Sequence, residues 1–300
     1  MKEDNFQNKQ YTGRKIAIFT DAHGLLEPTK SALEDIRRRG IHEIYSLGDN
    51  IGVGPNPGEV LDLLDEYGVK SIAGNSEEYC SLGVQPFHSY FNALKEKSQL
   101  WTLSKLNERQ LGEIKLFPHS IELLVGGKKL ALCHFANDVR FDFHKRSTWS
   151  YQNTISFGKN GYEQFLYTNS FEQVSQMEHI LKTYGEDSAM MRGYVSAMKD
   201  PLFDGKRVDF YDAVIQGHVH FKIYEKSDTT EFYSIRAVGM AYQKDPIDTA
   251  SYVILNEKTD NLGFDLEEVL VRFDREKMIY HILTSGSPDR TIEKFTNMQR

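Results

Sequence analysis

Three hundred residues suffice for one large core or two small ones, so the fold needs no disulfide or zinc staple to hold together. Apolar residues at 40%, charged at 26% and aromatic at 12% exclude a disordered chain, and no apolar run is long enough to span a bilayer. The 36 basic side chains against 43 acidic ones leave a formal charge of -7. That argues against a broad electrostatic grip on nucleic acid or anionic lipid, so any phosphate is handled locally.

Residues 1–14, MKEDNFQNKQYTGR, are polar and mixed in charge. They lack the apolar stretch of a secretory signal and the acid-poor look of a transit peptide, and read as an extension of a cytoplasmic protein. Cys80 and Cys133 are too few for a disulfide framework and read as two buried reduced thiols.

Lys15–Thr20 (KIAIFT) is a β-branched and aromatic run that stops at Asp21-Ala22-His23-Gly24, as a strand entering a loop does. A helix is predicted over Thr29–Arg39, with Ala32, Leu33 and Ile36 on one face and Gly40 past its end. Glu43–Leu47 is the next strand, ending at Gly48-Asp49. Gly58–Tyr67 is helical, and Lys70–Ala73 is a third strand ending at Gly74-Asn75. This alternation predicts parallel strands joined by right-handed crossovers. In such sheets, ligands gather where carboxyl ends of strands meet helix N-termini. A long helical region over 86–116 leads to a hairpin, His119–Val125 and Lys128–His134, turned by Gly126-Gly127. Residues 138–210 read as an insertion or cap with one amphipathic helix around Phe171–Thr183. Ala213–Gln216 is a strand ending at Gly217-His218-Val219-His220. Antiparallel pieces follow at Lys222–Lys226, Glu231–Val238, Ser251–Asn256 and Glu267–Phe273. The fold class is therefore α/β, an α/β/β/α four-layer sandwich with mixed sheets and an inserted cap-like segment.

Seven oxygen or nitrogen donors fall at the ends of five strands: Asp21, His23, Asp49, Asn75, His134, His218 and His220. A single His or Asp at a strand end is more often a cap than a ligand, but the joint pattern reverses those odds. Imidazole with carboxylate suits Mn, Fe, Zn, Ni or Co, and the lack of clustered Cys argues against structural zinc or an iron–sulfur cluster. Seven donors exceed what one open catalytic ion needs, so two are implied. Two dications at roughly 3.5 to 4 Å repel by something on the order of 20 kcal/mol at an effective dielectric of about 20, so a carboxylate must sit between them. An extended Asp-x-His or His-x-His segment turns residues two apart to the same side, which lets one short stretch supply two donors to one cluster.

Asp21-x-His23, Gly48-Asp49, Gly74-Asn75, a lone His134 after a strand and Gly217-His218-x-His220 occur in this order over residues 15 to about 245. Together they resemble the calcineurin-like metallophosphoesterases, and Gly48–Pro57 (GDNIGVGPNP) is most similar to the small bacterial and archaeal phosphodiesterase-like branch. The resemblance implies that Asp21, His23 and His220 bind one metal, that Asn75, His134 and His218 bind the other, and that Asp49 bridges them. It assigns catalysis to Asp49, Asn75, His134 and His218, and makes residues 15–275 the metallophosphoesterase domain, followed by a helical or irregular tail at 276–300. Two departures stand out. Ser76 occupies the place of the family's His after Gly-Asn, and Ala237-Val238-Gly239 stands where relatives often read Asn-Pro-Gly-Ser.

The resulting expectation is a two-metal phosphoesterase, with Mn favoured, that attacks a small nucleotide-type phosphodiester, phosphoanhydride or phosphomonoester with metal-bound hydroxide. Ser76, Glu77 and Arg140 are candidate substrate contacts, while Glu77, Glu78 and His119 are candidate replacements for the missing proton donor. Expected partners are a small phosphorylated molecule, with no long nucleic acid and no membrane. The rival expectation is a non-catalytic metal-binding regulatory or scaffolding protein on the same fold.

Overall fold

The computed structural model of the chain describes residues 13–82, 93–134, 211–218, 220, 222–226, 230–240, 246–258 and 263–288. The predicted cap with its Phe171–Thr183 helix, the N-terminal extension through residue 12 and Arg140 lie outside these residues. The first half runs β1 (Lys15–Phe19), α1 (Leu26–Arg38), β2 (Ile44–Ser46), α2 (Pro57–Glu66), β3 (Lys70–Ser71) and α3 (Asn75–Leu82). Next come α4 (Ala93–Ser104), α5 (Glu108–Ile114) and the hairpin β4 (Ser120–Val125) and β5 (Lys128–Cys133). The remainder is β6 (Ala213–Gln216), β7 (Ile223–Lys226), β8 (Glu231–Ser234), β9 (Thr249–Glu257), β10 (Phe264–Arg272) and α6 (Arg275–Thr284).

Two mixed five-stranded sheets result, ordered β10-β9-β1-β2-β3 and β4-β5-β6-β8-β7. β1, β2 and β3 are mutually parallel, and β9 closes antiparallel on β1. In the second sheet β5, β6 and β8 are parallel and only the outer strands β4 and β7 run against them. The 231–238 piece is therefore not purely antiparallel: its first four residues form β8, which pairs in parallel with β6 and antiparallel with β7. Both sheets thus present several carboxyl ends at one edge, the arrangement in which loop side chains converge.

Alternation decides the layers. Ile16 and Ile18 of β1 pack in one core with Leu123, Leu130, Leu132 and Ile215 of the second sheet. Ala17 and Phe19 instead join Leu33 and Ile36 of α1. β1 is consequently buried on both faces, and its apolar run shows no polar alternation.

Several boundaries follow from proline and polar caps. α1 starts before Pro28, because a proline in the first turn leaves no donor unpaired, and α2 begins at Pro57 for the same reason. The predicted 86–116 helix is interrupted at 105–107, where the Asn107 side chain accepts from Gln110 N and Gln110 answers the Asn107 backbone in a capping box. The hairpin turn carries positive φ at both Gly126 and Gly127, as a two-residue turn between twisted strands requires. α6 begins where the tail was expected, yet it packs in the domain: Met278 and Ile282 are buried, and Lys277 and His281 lie 3.5 and 3.1 Å from Glu27 of α1.

Candidate metal centre

All seven predicted donors meet at the carboxyl edge of the two sheets. Asp21, His23, Asp49 and Asn75 come from the first sheet, and His134, His218 and His220 from the second. They form two groups, Asp21 with His23 and His220, and Asp49 with His134 and His218, the donor atoms within each lying no more than 4.8 Å apart. Asn75 joins the second group, its Oδ1 3.2 Å from His134 Nε2.

The first group is a tight triangle. His23 Nε2 and His220 Nε2 are 3.1 Å apart, and Asp21 Oδ1 lies 3.5 and 3.2 Å from them. A triangle of that size places each atom about 2 Å from a common point, the length of a bond to a transition-metal dication. Asp21 Oδ1 is buried and has no aligned hydrogen-bond donor, an expensive state for a carboxylate oxygen unless a cation meets it. The other oxygen, Oδ2, accepts from Thr20 Oγ1 at 2.6 Å and from His218 N at 2.9 Å, which fixes the carboxylate plane.

Asp49 divides its two oxygens between different tasks. Oδ1 accepts from Ser76 N at 2.7 Å, and Oδ2 lies 3.7 Å from His23 Nε2 and 3.6 Å from His134 Nε2, between the two groups. His134 Nδ1 is 2.7 Å from Leu47 O. A carbonyl only accepts, so Nδ1 carries the proton and Nε2 is turned bare toward the centre, the orientation a metal ligand needs.

The chain turns sharply to do this. Among the described residues, six non-glycine residues have positive φ, and five of them are Asp21, His23, Asp49, His218 and His220. The extended Asp-x-His and His-x-His geometry expected from the sequence is therefore replaced by left-handed turns. His218 and His220 lie in different groups, the division that the family resemblance implies. Asp and His tolerate this region better than most side chains. Hydrogen bonds from His23 N to Asp49 O and from Asp21 N to Gly48 O, 2.8 and 3.0 Å, stitch the two loops together. Gly74 lets the strands' ends close, since a Cβ there would collide with Asp49 Oδ1 and N.

Electrostatics agree with a cation site. Burial disfavours charge on His23 and His134, but the facing Asp21 and Asp49 carboxylates outweigh it and push both imidazoles up. Burial and the charge of His134 hold His218 well below the ordinary imidazole range. Burial would raise Asp21, yet His220 and His23 hold it well below the carboxylate range. The two buried carboxylates thus favour positive charge among them, the role a divalent ion takes on binding.

The candidate substrate contacts fare differently. Glu77 is 0% exposed, and both its oxygens accept from main-chain N–H groups, so it faces no substrate and serves as no external acid. Burial and the Asp49 carboxylate push it up to about 7. Ser76 is buried against Asp49 and Gly52. Glu78 and His119 pair with each other at 3.5 Å, and both are buried. Sequence reading missed the supporting groups Thr20 and Leu47 O. A hydroxyl directly before Asp21 is a detectable signal; a backbone carbonyl is not.

The calcineurin-like phosphoesterase model matches residues 14–222. The chain belongs to the calcineurin-like phosphoesterase family. A similar protein, uncharacterized, from Methanocaldococcus jannaschii is 27% identical over 281 residues, covering 91% of this chain and 94% of that one. The fold is shared end to end with a metallophosphoesterase from Sphaerobacter thermophilus, at TM-score 0.59 and 18% identity over 95% of this chain and 98% of that one. It is shared equally with a hypothetical protein from Pyrococcus horikoshii, at TM-score 0.59 and 13% identity over 94% and 97%. In this calcineurin-like phosphoesterase the unusual Ala237-Val238-Gly239 stretch still braces the centre through its backbone. Ala237 N donates to His220 O at 3.2 Å and Val238 N to Thr20 O at 2.9 Å.

Proposed function

We propose that this phosphoesterase hydrolyses a phosphodiester or phosphoanhydride of a small nucleotide-like molecule, using two divalent ions, with Mn favoured over Fe, Zn, Ni or Co. Asp21, His23 and His220 would hold one ion, Asn75, His134 and His218 the other, and Asp49 would bridge. The observation that carries this reading is Asp49 Oδ2 lying 3.7 and 3.6 Å from ring nitrogens of the two groups. Bound there, such ions supply an activated water and neutralise charge developing on a phosphoryl group.

The chain's own residues set the preference. Asp49, locked by Ser76 N, keeps the two halves of the centre in register, and His134, oriented by Leu47 O, presents a fixed nitrogen to the ion it would hold. Ser76 brings a hydroxyl where relatives have an imidazole. A hydroxyl does not protonate a leaving group near neutral pH, and general acid assistance is worth about 100 to 10,000-fold. Substrates whose leaving group departs as a stable anion are therefore favoured over alkyl monoesters, which fits nucleotides and polyphosphates.

The test is hydrolysis of bis(4-nitrophenyl) phosphate beside an alkyl monoester in added Mn, with wild type and Asp49→Asn. Wild type is expected to cleave the diester at least tenfold faster than the monoester, and Asp49→Asn to lose about 100-fold or more. Equal rates for wild type and variant would sink the catalytic reading. Ser76 also favours a second reading, a non-catalytic metal-binding scaffold, which predicts metal uptake by wild type with no turnover of either ester.

A further inference from the structure

Glu77 stands at the third position of α3, wholly buried, and ties together the loops that carry Asp49 and Asn75. Its Oε2 accepts from Asp49 N at 2.9 Å and Gly74 N at 2.8 Å, and its Oε1 accepts from Asn50 N at 2.7 Å. The bond from Gly74 is the returning half of a capping box at the start of α3. The other two leave the helix and cross to the loop after β2. Asp49 answers in the opposite direction, its Oδ1 accepting from Ser76 N of α3 at 2.7 Å.

These four hydrogen bonds close a ring. Within it both the backbone of Asp49 and one of its carboxylate oxygens are held, so Oδ2 is left aimed between the two donor groups, 3.7 Å from His23 Nε2 and 3.6 Å from His134 Nε2. The first group touches this ring only through its main chain, where Asp21 N and His23 N donate to Gly48 O and Asp49 O at 3.0 and 2.8 Å, and its side chains have supports of their own. Asp21 is fixed by Thr20 Oγ1 and His218 N, and the loop of His220 is braced by Ala237 N.

We propose that Glu77 is the positioning residue that holds Asp49 as a bridge, so that filling of the Asp49, Asn75, His134 and His218 site depends on Glu77 more strongly than filling of the Asp21, His23 and His220 site. The proposal rests on the two-ion reading above. Its chemistry is specific to a carboxylate: Gln offers one acceptor oxygen and turns an NH2 toward a main-chain donor, and Ala offers none. Groups that orient ligands from behind typically change metal affinity 10- to 100-fold when removed.

The experiment is Mn titration of the full chain by calorimetry, with Mn counted per chain after desalting, for wild type, Glu77→Gln and Glu77→Ala. Each protein's unfolding midpoint is also measured in chelator. Wild type should bind two ions, and both variants should weaken one of them only slightly. The other should weaken 10- to 100-fold, more in Glu77→Ala than in Glu77→Gln. A variant that binds two ions as wild type does overturns the proposal, as does equal weakening of both sites. Should Glu77→Ala fail to fold in chelator, Glu77→Gln carries the comparison. Wild type binding fewer than two ions defeats the two-ion reading itself, which separates that failure from one confined to Glu77.

Discussion

Asp21, His23, Asp49, His218 and His220 each hold a left-handed backbone, a conformation that costs on the order of 1 to 3 kcal/mol per residue and survives only where the surroundings over-determine it. Here the surroundings are loop-to-loop hydrogen bonds and a glycine whose hydrogen leaves room for Asp49. Glycine replacements therefore divide cleanly by environment. Gly74→Ala forces a Cβ onto Asp49 and is expected to destabilise by about 1 to 3 kcal/mol and to reduce diester hydrolysis at least tenfold. Gly112→Ala, in α5 with nothing within 4 Å of the added carbon, is expected to stabilise by about 0.5 to 1 kcal/mol. Thermal unfolding and initial rates of both variants check the pair; a stabilising Gly74→Ala contradicts the packing argument.

At the scale of elements, α1 is fastened to its sheet and its own last turn through one carboxylate. Asp35 accepts from Tyr252 Oη of β9 at 2.6 Å, from Arg39 Nε at 2.7 Å and from Arg38. Burial works against its charge, yet these donors hold it down at about 2. Because the folded carboxyl takes up a proton less readily than the unfolded one, its stabilisation is complete above the ordinary value near 3.8 and is lost as pH falls toward 2. Asp35→Asn should therefore lower the unfolding midpoint clearly at pH 6, and by progressively less below pH 4; a constant difference across that range would refute it. Arg37, the remaining cation of that helix end, lies 3.9 Å over the Tyr67 ring, so the Arg37–Arg39 run is a structural clasp. At the start of α5, Asn107→Ala removes a capping box and should cost about 1 kcal/mol in urea unfolding.

The same scale explains what the sequence hid. α3 was not legible, because its buried positions include Ser76, Glu77 and Glu78 beside Tyr79, and a helix that buries carboxylates shows no apolar period of 3.6. By contrast α1 and α2 bury Leu, Ile and Val in the usual spacing, and both were anticipated to within a few residues.

For the whole molecule, each donor group draws on both sheets: Asp21 and His23 face His220, and Asp49 and Asn75 face His134 and His218. Ions bound there would rivet the carboxyl edges of two sheets that otherwise meet through an apolar core. Mn at about 100 times its dissociation constant should stabilise by about 2.7 kcal/mol per site if the unfolded chain does not bind it. Excess chelator should return the unfolding midpoint to the apo value. Identical midpoints with and without Mn would count against a cation at this edge.

The order of the strands, the helices α1 and α2, and the seven polar side chains at the strand ends were legible in local chemistry: β-branched runs, caps, and polar residues stopping each strand. How the backbone turns to bring those side chains together was decided only by tertiary structure. The left-handed turns and the burial of Glu77 both depend on contacts between loops far apart in the chain. Those contacts arise from closing two sheets on one another, and no single segment contains the information that they will be satisfied.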